Sequence, residues 1–192
     1  LYLCTATALL HAGLQSIRVL VSYRVLALGG DATTIGAITA LYAVVPLVAA
    51  VTLGRAVDRH HAAAILRSGI VVTTAGAAMI ALSPNLPVLA AGNIVLGFGQ
   101  LLVTVSGQAF VSILSPPNLL DRGFAGITLG VSIGQAVGVP VAGLIAAAGG
   151  DDPTAVNTTP ALLVMTVVSA IALPFVVGLR EQFQQQGAGE EG

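Results

Sequence analysis

Six long runs of apolar residues, separated by short polar segments, dominate the sequence. The runs cover residues 3–28, 35–53, 66–82, 86–113, 123–148 and 160–179. A helix needs about 20 predominantly apolar residues to cross a lipid bilayer. The runs are continuous, whereas the strands of a membrane β-barrel alternate in polarity over about ten residues. The pattern therefore predicts an all-α membrane protein with six transmembrane helices.

The arginines are distributed unequally between the two ends of these runs. Five of the seven lie in or beside the second and fourth connections or directly after the last run: Arg55, Arg59, Arg67, Arg122 and Arg180. The first and fifth connections instead contain aspartates, and the third has no charge. Because cytoplasmic loops are enriched in basic residues, we predict a multi-pass protein of the cell membrane with both termini in the cytoplasm.

Composition supports a membrane environment and excludes several soluble functions. Hydrophobic residues make up 56% of the 192 residues and charged residues only 8%, against about 25% charged in soluble domains. The net charge of −1 provides no basic surface for nucleic acid. The single cysteine, Cys4, excludes an internal disulfide, and no cysteine or acidic cluster accompanies His60 and His61. We therefore expect no metal site and no cofactor.

The two ends of the chain differ in polarity. The sequence begins with the apolar Leu1 and shows no basic region or cleavage site typical of a signal peptide, so we expect that a longer N-terminus precedes it. Residues 180–192 are polar and rich in Gly and Gln. We interpret residues 1–179 as the N-terminal transmembrane domain and residues 180–192 as the start of a truncated cytoplasmic linker.

The connection between the second and third runs carries a recognisable motif. Gly54 is followed four residues later by Asp58-Arg59, which resembles the loop motif of the major facilitator superfamily (MFS) at the same place. In that family the loop latches the cytoplasmic gate. His61 and the two alanines that follow it depart from the usual Gly and basic residues. The alternative interpretation is an ordinary charged connector on the cytoplasmic side.

The fifth run contains a second motif, made of small residues at regular spacing. Its members are Gly126, Gly130, Gly134, Gly138, Pro140 and Gly143. It resembles the Gly/Pro motif in the fifth helix of MFS antiporters, except that Val139 separates Gly138 from Pro140. Glycines four residues apart also form a smooth helix face on which another backbone can pack closely. Helix packing and an antiporter role both remain open.

The fourth run departs from the proton-coupled members of the same family. Those members have a buried Arg ahead of Gly-x-Gly, and here Asn93 precedes Gly97-Phe98-Gly99. The resemblance as a whole covers the entire chain as one half of the MFS fold. It implies two inverted three-helix repeats, a C-terminal six-helix half as partner, and a solute site near the membrane midplane. The implied function is secondary active transport of small solutes by alternating access, extending to efflux of drug-like or organic-anion compounds.

Polar side chains recur at helical spacing in the first and fourth runs. The first contains Thr7, His11, Gln15, Arg18 and Ser22, and the fourth contains Asn93, Gln100, Thr104 and Gln108. Such a stripe is expensive to expose to lipid, so it should face a protein interior or a water-filled cavity. The predicted cavity residues are His11, Gln15, Arg18, Asn93, Gln100 and Thr104.

Arg18 is the most informative of these residues because it remains charged in proteins. None of the six runs contains an Asp or Glu that could pair with it at membrane depth. Its partner is then an acidic residue of the other half or an anionic substrate. Snorkelling to the interface is the third possibility, and we expect it more strongly for Arg24.

Two other function classes compete with transport. A non-transporting six-helix membrane module could use the glycine face of the fifth helix for assembly, but it would not need a central arginine. A membrane-embedded enzyme would need acidic residues, a metal-binding set or a nucleophile–base pair, and no such set is present in the runs. We therefore predict that the protein is not an enzyme and has no catalytic residues.

Overall fold

The computed structural model of the chain describes residues 2–56, 62–114, 120–148 and 157–190. The described residues form six helices and no strand. The helices are α1 (Tyr2–Ala27), α2 (Ala32–Ala56), α3 (Ala62–Ala81), α4 (Leu86–Leu114), α5 (Leu120–Ala147) and α6 (Thr158–Glu190). Each corresponds to one predicted apolar run, so the all-α class is confirmed.

Five of these helices are long and apolar enough to cross a bilayer. Their apolar segments are Cys4–Ala27, Ala32–Val51, Ala64–Ala81, Leu86–Ala109 and Leu120–Ala147. Within the described residues, the corresponding apolar segment of α6 is Thr158–Pro174, which is shorter than the roughly 20 residues that a crossing helix needs. The sixth span therefore stays a prediction.

Helix α6 continues past the apolar run, which ends at residue 179, to Glu190. The added residues are mainly Gln and Glu, which have high helix propensity, so a polar composition does not end the helix. The boundary between a transmembrane domain and a linker at residue 179 stays a prediction, since a linker can itself begin as a helix.

The first connection shows how local sequence ends one helix and starts the next. Gly29 has a positive φ of 81°, and the following Gly30 N–H donates to the Val25 carbonyl at 2.9 Å. This is the hydrogen-bond pattern of a Schellman C-cap, in which glycine is favoured. Helix α2 is then capped by Asp31, whose Oδ1 accepts from the backbone N–H of Thr34 at 2.8 Å and from its hydroxyl at 2.7 Å.

Helices from the first half of the chain, α1–α3, pack mainly on helices from the second half, α4–α6. Helix α1 packs mainly on α5 and α6, and α4 packs mainly on α3 and α2. Helices α3 and α6 also pack on each other, whereas α1 makes few contacts with α2 or α4. The apolar core between them includes the fully buried side chains of Leu14, Ile17, Leu96 and Leu162.

Helices α2 and α5 present the most apolar surface. On α2, Leu47 and Val48 are 83% and 77% exposed. On α5, Leu144 is 71% exposed and Leu129 57%. Soluble monomers rarely expose contiguous apolar patches this extensive, and these surfaces are suited to lipid or to further apolar helices.

Candidate functional site

The polar stripe of α1 lies on the open side of that helix. His11 and Gln15 are half-buried and Arg18 is exposed, whereas Leu14 and Ile17, which face the bundle, are fully buried. Because residues three or four apart share a helix face, the spacing in the sequence places this stripe correctly. It is divided between two separate cavities.

The first, which we call the Arg18 cavity, has a volume of about 330 Å³ and lies in the C-terminal half of α1. Four helices, α1, α2, α4 and α5, contribute to its wall. Its lining residues are Gln15, Arg18, Val19, Val21, Ser22, Thr39, Tyr42, Asn93 and Val139. This volume falls at the lower end of the range of about 300–1,000 Å³ that is common for small-molecule sites.

Two neutral groups hold the Arg18 side chain in this cavity. Its Nη1 donates a hydrogen bond to Gln15 Oε1 at 3.2 Å, and its guanidinium carbon lies 4.7 Å from the centre of the Tyr42 ring. The second distance is typical of a cation–π contact. These contacts orient the positive charge, and none of the described residues that line the cavity gives it a negative counter-charge.

Asn93 borders the same cavity but is almost completely buried. Its Nδ2 donates to the backbone carbonyl of Ile38 at 2.6 Å, and so ties α4 to α2. This hydrogen bond holds the wall of the cavity in place where α4 meets α2. Asn93, which the sequence predicts as a cavity residue, therefore also acts in helix packing.

The second, which we call the His11 cavity, has a volume of about 270 Å³ and lies in the N-terminal half of α1. His11 and Thr104, both predicted cavity residues, line it together with Gln108 and Thr128. The His11 Nδ1 lies 3.1 Å from the Thr7 carbonyl, one helical turn away. Most of the other lining residues are apolar.

The structure therefore separates the six predicted cavity residues into three groups. Gln15, Arg18 and Asn93 line the Arg18 cavity, and His11 and Thr104 line the His11 cavity. Gln100 is not among the lining residues of either cavity. Its Oε1 is buried and has no hydrogen-bond partner among the described residues.

Sequence reasoning missed two cavity residues on α2, Tyr42 and Thr39. Tyr42 is the one aromatic residue of that helix, which was a usable signal. Its partner Arg18 is on a different helix, and the 23 positions between them carry no sequence pattern that links the two residues.

Arg24, for which snorkelling was the favoured interpretation, has partners within the bundle. Its Nη2 donates to the Ser83 carbonyl at 2.8 Å and its Nη1 to Thr159 Oγ1 at 3.0 Å. A weaker contact joins its Nε to Ser83 Oγ at 3.5 Å. Arg24 thus connects the C-terminal end of α1 to the α3–α4 connection and to the start of α6.

Only the central glycines of the α5 motif are packing positions. Gly130, Gly134 and Gly138 are buried, and any side chain there would overlap the α1 backbone at Cys4, Ala8 or Ala12. Ala142 and Ala146 continue this buried stripe in place of Pro140 and Gly143. The space beside Gly126 and Gly143 is open, and Pro140 is exposed.

The predicted gate falls largely outside the described residues. Gly54 belongs to the last turns of α2, whereas Asp58 and Arg59, together with His60 and His61, lie outside the described part of the chain. Within the described residues, no group of three or more His, Cys, Asp or Glu side chains is placed to hold a metal ion.

Comparison with known proteins identifies the family. The sequence matches the Major Facilitator Superfamily profile over residues 3–191. A comparison with curated protein sequences found no match. The family match extends over nearly the whole chain and agrees with the all-helical, apolar architecture and with the polar cavities beside α1. The chain belongs to the major facilitator superfamily.

Proposed function

We propose that this chain is one six-helix half of a secondary active transporter that moves small solutes by alternating access. Members of the family are transporters. The observation that carries the proposal is the Arg18 cavity, in which residues of α1, α2, α4 and α5 lie around a charge in the apolar segment Cys4–Ala27. A charge at this depth is costly unless it faces a cavity or a partner, and a solute pathway provides both.

The packing pattern supports two inverted three-helix repeats. If α1–α3 and α4–α6 are equivalent, α1 corresponds to α4, α2 to α5 and α3 to α6. The contacts of α1 with α5 and α6 then match those of α4 with α2 and α3. The contact between α3 and α6 maps onto itself, as a pseudo-twofold axis requires.

The exposed apolar faces of α2 and α5 support a second six-helix half as the partner. Both helices border the Arg18 cavity through Tyr42 and Val139, so a partner lying across them would close that cavity on its open side. The remaining apolar surface would face lipid. Efflux of drug-like or organic-anion compounds is the direction we favour, on the resemblance of the α5 motif.

The distribution of arginine supports a cell-membrane location with both termini in the cytoplasm. A single cysteine introduced at Asp31 in a Cys4→Ser background should react with an impermeant maleimide added outside intact cells. A cysteine at Ala62 should react only after the membrane is permeabilised. The reverse pattern would overturn the orientation.

We further propose that Gly54, Asp58 and Arg59 form part of a cytoplasmic gate. Asp58→Asn should then lower the transport rate while equilibrium solute binding stays nearly unchanged. A large loss of binding at an unaltered rate would place these residues in the solute site instead.

The alternative function, a non-transporting assembly module, is weakened by a specific contact. It relied on the glycine face of α5 as an external interface, and that face is covered by α1 of the same chain at Gly130, Gly134 and Gly138. The large apolar residues that α5 does expose, such as Leu129 and Leu144, are suited to lipid.

Coupling between the two cavities tests the proposal without knowledge of the solute. Ser22 lines the Arg18 cavity and Gln108 the His11 cavity, and each is replaced by cysteine in one Cys4→Ser protein in proteoliposomes. A bulky impermeant maleimide fixed at position 22 from one side should slow labelling at position 108 from the other. The single variant Gln108→Cys is the control. Labelling at position 108 that is independent of position 22 would favour the static module.

A further inference from the structure

The guanidinium of Arg18 has hydrogen-bonding capacity that its neighbours do not use. An arginine side chain carries five N–H donors in a planar fork, and among the described residues it makes one hydrogen bond, to Gln15 Oε1 at 3.2 Å. Tyr42 contacts the face of the guanidinium through its ring, and a contact to the face leaves the edge donors available. The side chain is exposed on the open side of α1.

The surroundings of this charge are neutral. None of the nine side chains that line the Arg18 cavity is acidic, and the cavity offers hydroxyl and amide groups from Ser22, Thr39 and Gln15. By contrast, Arg24 on the same helix donates to the Ser83 carbonyl and to Thr159. Among the described lining residues, the cavity therefore carries one positive charge and no negative one.

We propose that the Arg18 cavity binds a small monocarboxylate that carries a planar apolar group. This inference rests on the proposed transport function and specifies its substrate class. A carboxylate matches the planar donor fork of arginine, with which it forms two parallel hydrogen bonds. One cation balances one negative charge, whereas a dianion would bring a second charge that no cationic lining residue balances.

The apolar lining residues of the cavity indicate what the ligand carries besides its carboxylate. Val19, Val21 and Val139 give the wall apolar surface beside the charge, and the Tyr42 ring adds an aromatic one. A volume of about 330 Å³ accommodates a single ring with its carboxylate. Benzoate is the simplest compound with these properties, and benzamide has the same shape without the charge.

The experiment measures equilibrium binding of radiolabelled benzoate and benzamide to the protein in proteoliposomes. Benzoate should bind at millimolar concentration or below, and benzamide about 10- to 100-fold more weakly, because benzamide has one acceptor oxygen and no negative charge and so cannot form the charge-assisted pair of hydrogen bonds. Arg18→Gln should remove this difference between the two compounds. Arg18→Lys keeps the positive charge but loses the planar set of N–H donors, so it should retain part of the preference for benzoate.

Arg122→Gln is the matched control, because Arg122 is exposed at the start of α5 and does not line the cavity. Its preference for benzoate should equal that of the unchanged protein. Tyr42→Leu removes the ring that orients the guanidinium and should weaken benzoate binding more than benzamide binding.

Three results would overturn the proposal: no benzoate binding at millimolar concentration, equal binding of benzoate and benzamide, or an unchanged preference in Arg18→Gln. Lower thermal stability of Arg18→Gln with an unchanged preference would identify a protein carboxylate as the partner, which also contradicts a ligand role. These failures are distinguishable from failure of the transport function, because labelling at positions 22 and 108 measures coupling between the cavities in the absence of ligand.

Discussion

Arg18 and Arg24 are two arginines on the same helix, six positions apart, in opposite environments. Arg24 is part-buried and bonded to Ser83 and Thr159, so its charge is used to connect α1 with two other parts of the bundle. Arg18 is exposed in a cavity and contacts only neutral groups, Gln15 and Tyr42, through its described interactions. Arginine therefore contributes to helix packing at position 24 and lines an open cavity at position 18.

The difference follows from the two sides of α1. One side is covered by α5 and α6, where small residues and Arg24 bring the helices together. The other side borders the two cavities. Substitutions on the packed side should change stability, and those on the open side should change ligand binding, which gives the following predictions.

The largest effect is expected at Gly134, on the packed side. A Cβ there would overlap the Ala8 carbonyl oxygen of α1, and backbone atoms cannot move aside as a flexible side chain can. Gly134→Val should therefore destabilise the protein by more than about 3 kcal/mol, seen as loss of the folded peak in detergent chromatography. Gly143→Val, on the same helix in open space, is the control and should remain folded. Equal behaviour of the two variants would contradict the α1–α5 packing.

Arg24→Gln should have the next largest effect. It removes hydrogen bonds to the Ser83 carbonyl and to Thr159, at a cost of about 1–3 kcal/mol. The thermal unfolding midpoint in detergent measures this loss. Arg18→Gln is the comparison variant and should shift the midpoint much less, since its described partners are one amide and one ring. A larger shift for Arg18→Gln would reverse the assignment of the two arginines.

Asn93 tests whether a cavity-lining residue can act mainly through packing. Asn93→Ala removes the 2.6 Å hydrogen bond to the Ile38 carbonyl and should lower stability by about 1 kcal/mol. Because the Nδ2 of Asn93 is used in this bond between α4 and α2, we expect the preference for benzoate over benzamide to be retained. Complete loss of that preference in a folded Asn93→Ala protein would make Asn93 a binding residue instead.

The smallest effect is expected at Asp31, outside the membrane-spanning segments. Hydrogen bonds from the Thr34 hydroxyl and backbone N–H hold the pKa of the Asp31 carboxyl below its ordinary value. A lowered pKa in the folded state means that the cap stabilises the protein above about pH 4 and that this contribution is lost as the pH falls through the lowered pKa. Asp31→Asn keeps a capping oxygen and should make thermal stability less dependent on pH in that range. An identical pH dependence in both proteins would exclude a contribution from this cap.

Much of the fold was predictable because lipid imposes a simple rule on the sequence. Each apolar run became one helix, and the turn at Gly29 and the cap at Asp31 followed local sequence preferences. Helix α6 continues past its apolar run, since the polar residues after residue 179 have high helix propensity. The placement of Arg18 on a polar face was predictable from helical spacing alone.

The environment of each polar residue was less predictable. Tyr42 beside Arg18, Ser83 and Thr159 beside Arg24, and Ile38 beside Asn93 all come from other helices or connections. Periodicity specifies which face of a helix is polar. It does not specify which residue of another helix lies opposite that face.

The sequence by itself determined the six helices, the membrane environment and the family, because these depend on local hydrophobicity and on short motifs. Only the tertiary structure decided that the polar stripe of α1 is divided between two cavities and that Arg24 is a packing residue. It also decided which three of the α5 glycines lie against α1. The physical reason is that these properties depend on how helices cross, and helix crossing is set by close contacts between residues far apart in the chain.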